Sequence, residues 1–256
     1  MFDWGGFTLF LYILMRISGV LLYSPIFGRR GIPTLFTAGF IGMLSLSAYY
    51  LYGGSAPVPD TILEFSLRLL MELAVGASLG LVMRFFFLVA EQGGEVVDTQ
   101  MGLSMARSYD PSSESNMTIT ANILNTLMLV LFFIENGHIT LLRMVMTSGE
   151  IVPFGQVVVG QRLADRALEL FAQCLVLSVK LSLPILGAEL LGQLGMGVLM
   201  KVIPQINVFA INIELKVIIG FLMLVMLLAP MSEFLLSCET EMLRALRSML
   251  MLLQSG

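Results

Sequence analysis

The sequence predicts an all-α, polytopic membrane protein with broken helices and helical hairpins, and three observations predict this fold class. Hydrophobic residues make up 57% of the 256 residues and charged residues only 12%, whereas a soluble domain carries roughly 25% charged residues. The mean hydropathy is +0.90. Apolar segments extend from Phe7 to Leu253 without a soluble block between them, and clusters of Pro and Gly, which end helices, separate these segments.

Several classes of function lack the residues that they need. A net charge of -4 argues against nucleic-acid binding, which normally needs a basic stripe. The common hydrolase, metalloprotease and phosphate-binding motifs are missing, so we expect neither an enzyme nor a bound cofactor. His138 is the single histidine, and we interpret it as a helix-end or packing residue because no second His or Cys lies at a metal-ligand spacing. No metal site is therefore expected.

The N-terminal third predicts three helices. The first apolar segment is Phe7 to Leu22, interrupted by Arg16, and it has no removable signal-peptide pattern. The second is Leu35 to Tyr52. A capping-box pattern, Thr61 followed by Glu64, begins a third helix, which we expect to reach about residue 90.

The third segment carries charges and glycines at helical spacing. Glu64, Arg68 and Glu72 are four residues apart, so they share one face and are expected to pair along the helix. Gly76 and Gly80 form a Gly-x-x-x-Gly pattern, and small residues at this spacing let helices approach closely. We expect this face to contact protein or water rather than lipid.

A polar break follows, from Gln100 to Thr120, in an otherwise apolar sequence. Asp110 precedes Pro111 and several Ser residues follow, which predicts a loop. Such a loop is either a connector outside the membrane or lines a water-filled path, because exposed backbone is not tolerated in lipid. The acidic residues just before the break, Glu91, Glu95 and Asp98, are interpreted as a hydrated helix end.

The next segments are shorter. Met117 to Ile134 is apolar but carries Thr and Asn residues that need a polar partner, and a short helix from Ile139 to Met146 follows. The stretch from Ser148 to Gly160 is rich in Gly and Pro and is the best candidate for an internal boundary. Leu163 to Met200 contains Pro184, so we expect a kink or two shorter helices there.

The last two helices are predicted on either side of a proline. One extends from Val208 to Ala229 and is closed by Pro230. Ser232 is expected to cap the final helix, which should pack against a partner rather than span the membrane because its leucines follow a heptad-like spacing: Leu236, Leu243, Leu246, Leu250 and Leu253.

An ordered set of short motifs carries a family resemblance over essentially the whole chain. It comprises Gln100 to Ser104, Asp110-Pro111, Asn116-Met117, Leu131 to Phe133, Asn136 to His138, and Pro204 to Phe209, with Arg16, Pro25 to Phe27, Ile32-Pro33 and Val75-Gly76 nearer the start. The set resembles the FliR family, the R subunit of the flagellar type III protein export gate, whose virulence-secretion counterpart is the SctT family. The Met-Gly-Leu-Ser and Asn-Gly-His variants resemble the flagellar members more.

The resemblance implies a subunit of a helical, cone-like hetero-oligomeric gate in the bacterial inner membrane, partly on its periplasmic side within the flagellar basal body. One copy of this chain would assemble with about five P-type and four Q-type subunits, contact a B-type switch subunit and membrane lipid, and pass unfolded flagellar proteins. The single domain 1–256 would divide into a P-like part, 1–155, and a Q-like part, 156–256.

The resemblance also implies roles for individual residues. The pore plug would be Ala106, Arg107, Ser108, Tyr109, Asp110, Pro111, Ser112, Ser113, Glu114, Ser115 and Asn116. Motif residues beside the plug are Gln100, Met101, Gly102, Leu103, Ser104 and Met117. Candidate residues for packing between helices or subunits are Gly76, Gly80, Arg68, Glu72, Pro204 and Gln205.

Two alternatives remain open at this point. A self-contained secondary transporter would use Arg68, Glu72, Lys180 and Glu189 as a buried ion or solute site, since ionisable residues inside a membrane mark such sites. A purely structural subunit would have a central loop without a gating role.

Overall fold

A computed structural model describes residues 3–27, 32–103, 117–157, 160–202 and 208–254 of the chain, and all regular elements in these ranges are helices. The all-helical fold class is confirmed. In chain order the helices are α1 (Trp4–Tyr23), α2 (Thr34–Tyr52), α3 (Ile62–Met101), α4 (Ile119–Ile134), α5 (Gly137–Ile151), α6 (Gln161–Val202), α7 (Val208–Met226) and α8 (Leu228–Gln254).

Several of these helices meet the requirement for a membrane span. Four of them, α1, α2, α3 and α6, are long and apolar enough to cross a bilayer, for which about 20 apolar residues suffice. Two further pairs, α4 with α5 and α7 with α8, pass together but bend by 68° and 63° at short breaks. Within the described residues, the protein therefore has four to six candidate spans and is a polytopic membrane protein.

The chain forms two compact units that are not continuous in sequence. Unit 1 contains residues 1–85, 135–171 and 240–256, and unit 2 contains 86–134 and 172–239. Helix α3 contributes residues 62–85 to unit 1 and residues 86–101 to unit 2.

Glycines set the closest helix approach in unit 1. A Cβ atom built on Gly76 would lie 2.0 Å from the Arg16 carbonyl oxygen, and one on Gly19 would lie 2.5 Å from the Leu73 carbonyl oxygen. Gly80 similarly faces Val20, at 2.8 Å from its carbonyl oxygen. Helices α1 and α3 thus touch backbone to backbone, a contact that only residues without a side chain permit.

Unit 2 contains a second close approach on the same helix. A Cβ atom built on Gly94 would lie 2.3 Å from the Ala121 Cα atom in α4. Its neighbour Gly93 faces α6 instead, at 2.9 Å from the Leu181 side chain. The two consecutive glycines therefore let α4 and α6 pack against neighbouring faces of α3.

The structure corrects the predicted end of the third helix and the loop after the fifth. Helix α3 continues past residue 90 to Met101, because Gly93 and Gly94 are packing positions here rather than helix ends. Helix α5 continues through Ser148 to Ile151, so the predicted loop begins four residues later than expected. Thr61 does cap α3, since its hydroxyl accepts the Glu64 N–H at 3.2 Å.

The structure bears on both predictions about prolines in the second half. Helix α6 is one continuous element through Pro184, so the alternative of two shorter helices is wrong. Pro230 does not close a helix but lies in the first turn of α8, where its missing N–H is not needed. Ser232 consequently lies inside α8, and its hydroxyl donates to the Ala229 carbonyl instead of capping the helix.

The buried side of α8 also differs from the leucine heptad. Leu246, Leu250 and Leu253 are buried, whereas Leu236 and Leu243 are half-buried. The fully packed stripe at alternating spacings of three and four residues contains Met231, Leu235, Cys238, Met242, Ala245 and Met249.

Candidate functional site

The first candidate site lies where α3 ends and α4 begins, on either side of the predicted plug. The plug residues 106–116 and Ser104 lie outside the described residues. Helix α3 ends in a Schellman motif: the Leu103 N–H donates to the Asp98 carbonyl at 2.9 Å and the Gly102 N–H to the Thr99 carbonyl at 3.2 Å. Gly102 has φ +81°, which glycine adopts without steric cost. This gives Gly102 of the motif a physical role, since it terminates the helix.

Asp98 connects the end of α3 to the start of α4. Its carboxylate is fully buried, accepts the backbone N–H of Thr120 at 2.7 Å and also accepts the Thr120 hydroxyl. Thr120 lies in the first turn of α4, whose N–H groups have no partner within the helix. The carboxylate therefore caps α4 from another helix and lies at the positive end of its dipole.

We call Asp98, Gly102, Leu103 and Thr120 the loop base. Thr118, which precedes α4, makes no hydrogen bond through its buried hydroxyl within the described residues, so the cap on α4 comes from Asp98. The interpretation of Asp98 as part of a hydrated helix end is wrong, because the carboxylate is buried and holds the first turn of α4 beside the end of α3.

Further contacts hold the two sides of the loop base. A Cβ atom built on Gly220 of α7 would lie 2.5 Å from the Met101 side chain, so the buried Met101 fills the space above that glycine. Met117 accepts a hydrogen bond through its sulfur from the Asn125 side-chain amide at 3.3 Å. Gln100 and Leu103 are half-buried.

The second candidate site is a buried ion pair in unit 1. The Arg16 Nε atom lies 2.6 Å from a Glu72 carboxylate oxygen, and both side chains are almost fully buried. The other Glu72 oxygen accepts the Gly155 N–H at 2.7 Å. The same guanidinium donates to the Val152 carbonyl at 2.9 Å and to the Ser148 hydroxyl at 3.3 Å. We call these five residues the Arg16 cluster.

The Arg16 cluster joins α1, α3 and the connection after α5. Its guanidinium carbon also lies 4.2 Å from the centroid of the Phe154 ring, within the range of a cation–π contact. A buried ion pair offsets its desolvation best when hydrogen bonds satisfy its remaining atoms. Here backbone groups bind Arg16 Nη1 and the second Glu72 oxygen, whereas the buried Arg16 Nη2 has no hydrogen-bond partner within the described residues. The cluster is therefore a structural junction within unit 1.

The charge ladder on α3 is divided between two partners. Arg68 pairs with Glu64 along the helix, as its spacing predicts, and also donates to the Gly155 carbonyl at 3.2 Å. Glu72 instead pairs with Arg16 of α1. The prediction that all three charges pair along α3 is therefore wrong for Glu72. Helix α1 contacts α3 at Gly76, one turn from Glu72, and supplies the permanently charged guanidinium of Arg16.

The remaining predicted residues differ in burial. Of the transporter set, Glu72 and Glu189 are buried, Arg68 is half-buried and Lys180 is exposed. Pro204 and Gln205 lie outside the described residues. No group of three metal-ligating side chains occurs in the described ranges. His138 is half-buried in the first turn of α5, and Cys174 and Cys238 are buried cysteines that form no disulfide within the described residues.

Sequence reasoning missed the partners of both Arg16 and Asp98. The signal for Arg16 was an ionisable residue within an apolar segment, which predicts a buried partner without naming it. Asp98 follows the polar residues Glu91 to Glu95 and gave no such signal. A glycine one turn away, Gly76 from Glu72 and Gly94 from Asp98, indicated where another helix comes close enough to supply that partner.

Comparisons with known proteins show what the whole chain is similar to. The family model described as "Bacterial export proteins, family 1" matches residues 7–242. The chain is 30% identical to the flagellar biosynthetic protein FliR of Escherichia coli K12 over 239 residues, which cover 90% of this chain and 89% of that protein. It is 25% identical to FliR of Bacillus subtilis 168, over 86% of this chain and 85% of that protein. The Yop proteins translocation protein T of Yersinia pestis is 28% identical over 72% of each chain.

Proposed function

We propose, on the premise that this chain belongs to the bacterial export proteins, family 1, that it is the R-type subunit of a flagellar type III protein export gate. The observation that carries the proposal is its 30% identity to a flagellar biosynthetic FliR protein over 90% of the chain. The family assignment from the sequence motifs is confirmed by the same match. The role is conformational and non-enzymatic.

Residues 106–116 would plug the gate until an unfolded flagellar protein is engaged. The loop base supports this proposal, because a plug needs ends that stay in place while its middle moves. Asp98 holds the first turn of α4, and the Schellman motif at Gly102 ends α3 immediately before the loop. The motif residues Gln100, Met101, Leu103, Ser104 and Met117 would act as the frame of the plug.

The proposed setting is an assembly in the bacterial inner membrane, partly on its periplasmic side. One copy of this chain would join about five P-type and four Q-type subunits and contact a B-type switch subunit. Residues 1–155 would act as the P-like part and 156–256 as the Q-like part. Pro204 and Gln205 would take part in contacts with neighbouring subunits.

The first experiment tests assembly. The chain is co-expressed with the P-type and Q-type subunits of its own organism, purified, and analysed by native mass spectrometry beside the chain expressed alone. We expect a stable complex that contains one copy of this chain. A well-behaved lone protein or homodimer that ignores both partners would contradict the proposal and favour a self-contained transporter.

The second experiment tests the plug within that complex. Deletion of Ser108 to Ser115 removes most of the proposed plug, and we expect a raised ion conductance in liposomes that contain the assembled gate. The control is replacement of the same eight residues with a Gly/Ser linker of equal length, which keeps the chain length but removes the side chains. An intact barrier in the deletion variant would favour a purely structural subunit.

A virulence-type secretion gate is the second candidate, because the Yersinia pestis translocation protein T matches 72% of this chain. Complementation separates the two candidates. We expect this chain to restore motility to a flagellated host that lacks its own R-type subunit and not to restore effector secretion to a host that lacks the virulence counterpart.

A further inference from the structure

Lys180 occupies an unusual position for a charged residue. It lies near the midpoint of the 42-residue helix α6, and its side chain is exposed. The nearest charged residues along the helix are Glu169 and Glu189, so an apolar stretch surrounds Lys180 on both sides. Helix α6 is also one of the helices that qualify as a membrane span.

Within the described residues, Lys180 has no counter-ion. The ion pairs there are Arg16 with Glu72, Arg68 with Glu64 and Arg166 with Glu169. An ammonium group in the interior of an apolar span is costly, and such groups normally pair or face the inside of an assembly. A lysine reaches the headgroups by extending its stem only near the end of an apolar stretch, whereas ten uncharged residues precede Lys180 and eight follow it.

The packing of α6 keeps Lys180 on the outside. The opposite side of the helix is buried at Ser178, Leu181 and Ser182. A Cβ atom built on Gly93 of α3 would lie 2.9 Å from the Leu181 side chain and 3.3 Å from the Ser178 carbonyl oxygen. Rotation of α6 to bury Lys180 would open this contact within unit 2.

The surface around Lys180 has the shape and chemistry of a helix-docking face. Val176 and Leu183 are 55% and 56% exposed, and at helical spacing they share one face with Lys180. Gly187, one turn further, has no atom within 4 Å of a built Cβ position. The face therefore offers apolar side chains, one positive charge and room for a close backbone approach.

We propose that this α6 face, centred on Lys180, binds an apolar helix of another gate subunit. That helix carries one Asp or Glu opposite the lysine. The inference rests on the proposed function, since it needs a hetero-oligomeric gate. Charge complementarity selects the occupant: lipid tails offer Lys180 no counter-ion, whereas an acidic helix both neutralises the ammonium and covers Val176 and Leu183.

The test uses the complex co-expressed with P-type and Q-type subunits. Lys180→Glu should reduce the yield of the full complex by about tenfold or more, because it places two negative charges in contact in a desolvated interface. Lys180→Met keeps the length and apolar stem of the side chain and should give an intermediate loss. The matched control is Arg162→Glu, a charge reversal at the exposed first turn of the same helix, which should leave the yield unchanged.

Two further measurements exclude trivial explanations. The Lys180→Glu chain expressed alone should resist protease as the wild-type chain does, which shows that the variant folds. A photo-crosslinking benzoylphenylalanine at Leu183 in the assembled complex should form an adduct with a partner peptide that contains Asp or Glu, and reversal of that acid to Lys should restore assembly of Lys180→Glu.

The outcomes separate the inference from the proposed function. If the wild-type chain forms no complex, the proposed function fails and the inference fails with it. If the wild-type complex forms while Lys180→Glu assembles at full yield, or if the Leu183 probe crosslinks only lipid, then only the inference is overturned.

Discussion

Helix α3 carries a buried acid and a closely packed glycine one turn apart in each compact unit, but in opposite order. In unit 1 the buried Glu72 precedes Gly76 by one turn, and in unit 2 Gly94 precedes the buried Asp98 by one turn. Each glycine lets another helix approach the backbone, and each carboxylate binds a group on that helix. The donors differ: Glu72 binds a guanidinium, whereas Asp98 binds an N–H and a hydroxyl at the start of a helix.

The difference indicates how strongly each junction depends on its acid. Removal of one partner from a buried ion pair leaves an uncompensated charge, at a cost of about 3–5 kcal/mol. Removal of a helix cap costs about 0.5–2 kcal/mol. Unit 1 should therefore be sensitive to charge and unit 2 mainly to close packing, and the substitutions below test that contrast in order of decreasing effect.

The largest effect is expected from Arg16→Ala. It strands Glu72 without its charged partner and should lower the free energy of unfolding by about 3–5 kcal/mol, measured by SDS titration in mixed micelles. The control is Arg16→Leu combined with Glu72→Leu, which removes both charges and should recover most of that loss. An Arg16→Ala protein as stable as wild type would show that the buried pair contributes nothing.

The second-largest loss of stability is expected from substitution of the closely packed glycines. Gly76→Ala and Gly94→Ala place a methyl group 2.0 Å and 2.3 Å from backbone atoms of the facing helix, and each should cost about 1–3 kcal/mol or more. Gly93→Ala is the matched control, because its added methyl meets the flexible tip of Leu181 at 2.9 Å. In the same titration, Gly93→Ala should lower the free energy of unfolding much less than Gly94→Ala. Equal losses would mean that helix propensity, rather than the close approach of the facing helix, determines the effect.

Asp98→Ala should have a smaller effect on stability. It removes the cap on α4 and should cost about 0.5–2 kcal/mol, while Asp98→Asn keeps one acceptor oxygen for the Thr120 N–H and should cost less. Thr126→Ala, on the exposed side of α4, is the control for loss of a polar group. Hydrogen exchange at the first turn of α4 is the direct readout, since only loss of the cap should accelerate it there.

The smallest effect, of opposite sign, is expected at Gly39. This glycine lies in α2 with no atom within 4 Å of a built Cβ position. Gly39→Ala should stabilise the isolated chain by about 0.4–1 kcal/mol because it restricts the unfolded chain. A loss of stability in the same titration would reveal a contact at Gly39 within the chain.

The fold was largely predictable because apolar segments of this length have few alternatives in a membrane. The ends of the helices were less predictable. Gly93 and Gly94 predict a break when they are taken as local signals, yet both are packing positions inside α3. Pro230 predicts a stop but occupies the first turn of the last helix, a position that proline favours.

The candidate site was predictable only in part. The spacing of Glu64 and Arg68 gave their pairing, because both lie on one helix. Arg16 and Glu72 are 56 residues apart in the chain, and no local pattern links them. Asp98 and Thr120 are 22 residues apart in the chain and lie on different helices, so no spacing along one helix predicts their contact.

The position of Arg16 in the chain also has a consequence for biogenesis. Its ion-pair partner is synthesised 56 residues later, and the carbonyl of Val152 follows 136 residues after it. When α1 emerges from the ribosome, the arginine within this apolar helix has no counter-ion, and insertion of such a helix is penalised. Arg16 therefore gains its counter-ion only after α3 has been made, so α1 cannot reach its final packing before that point.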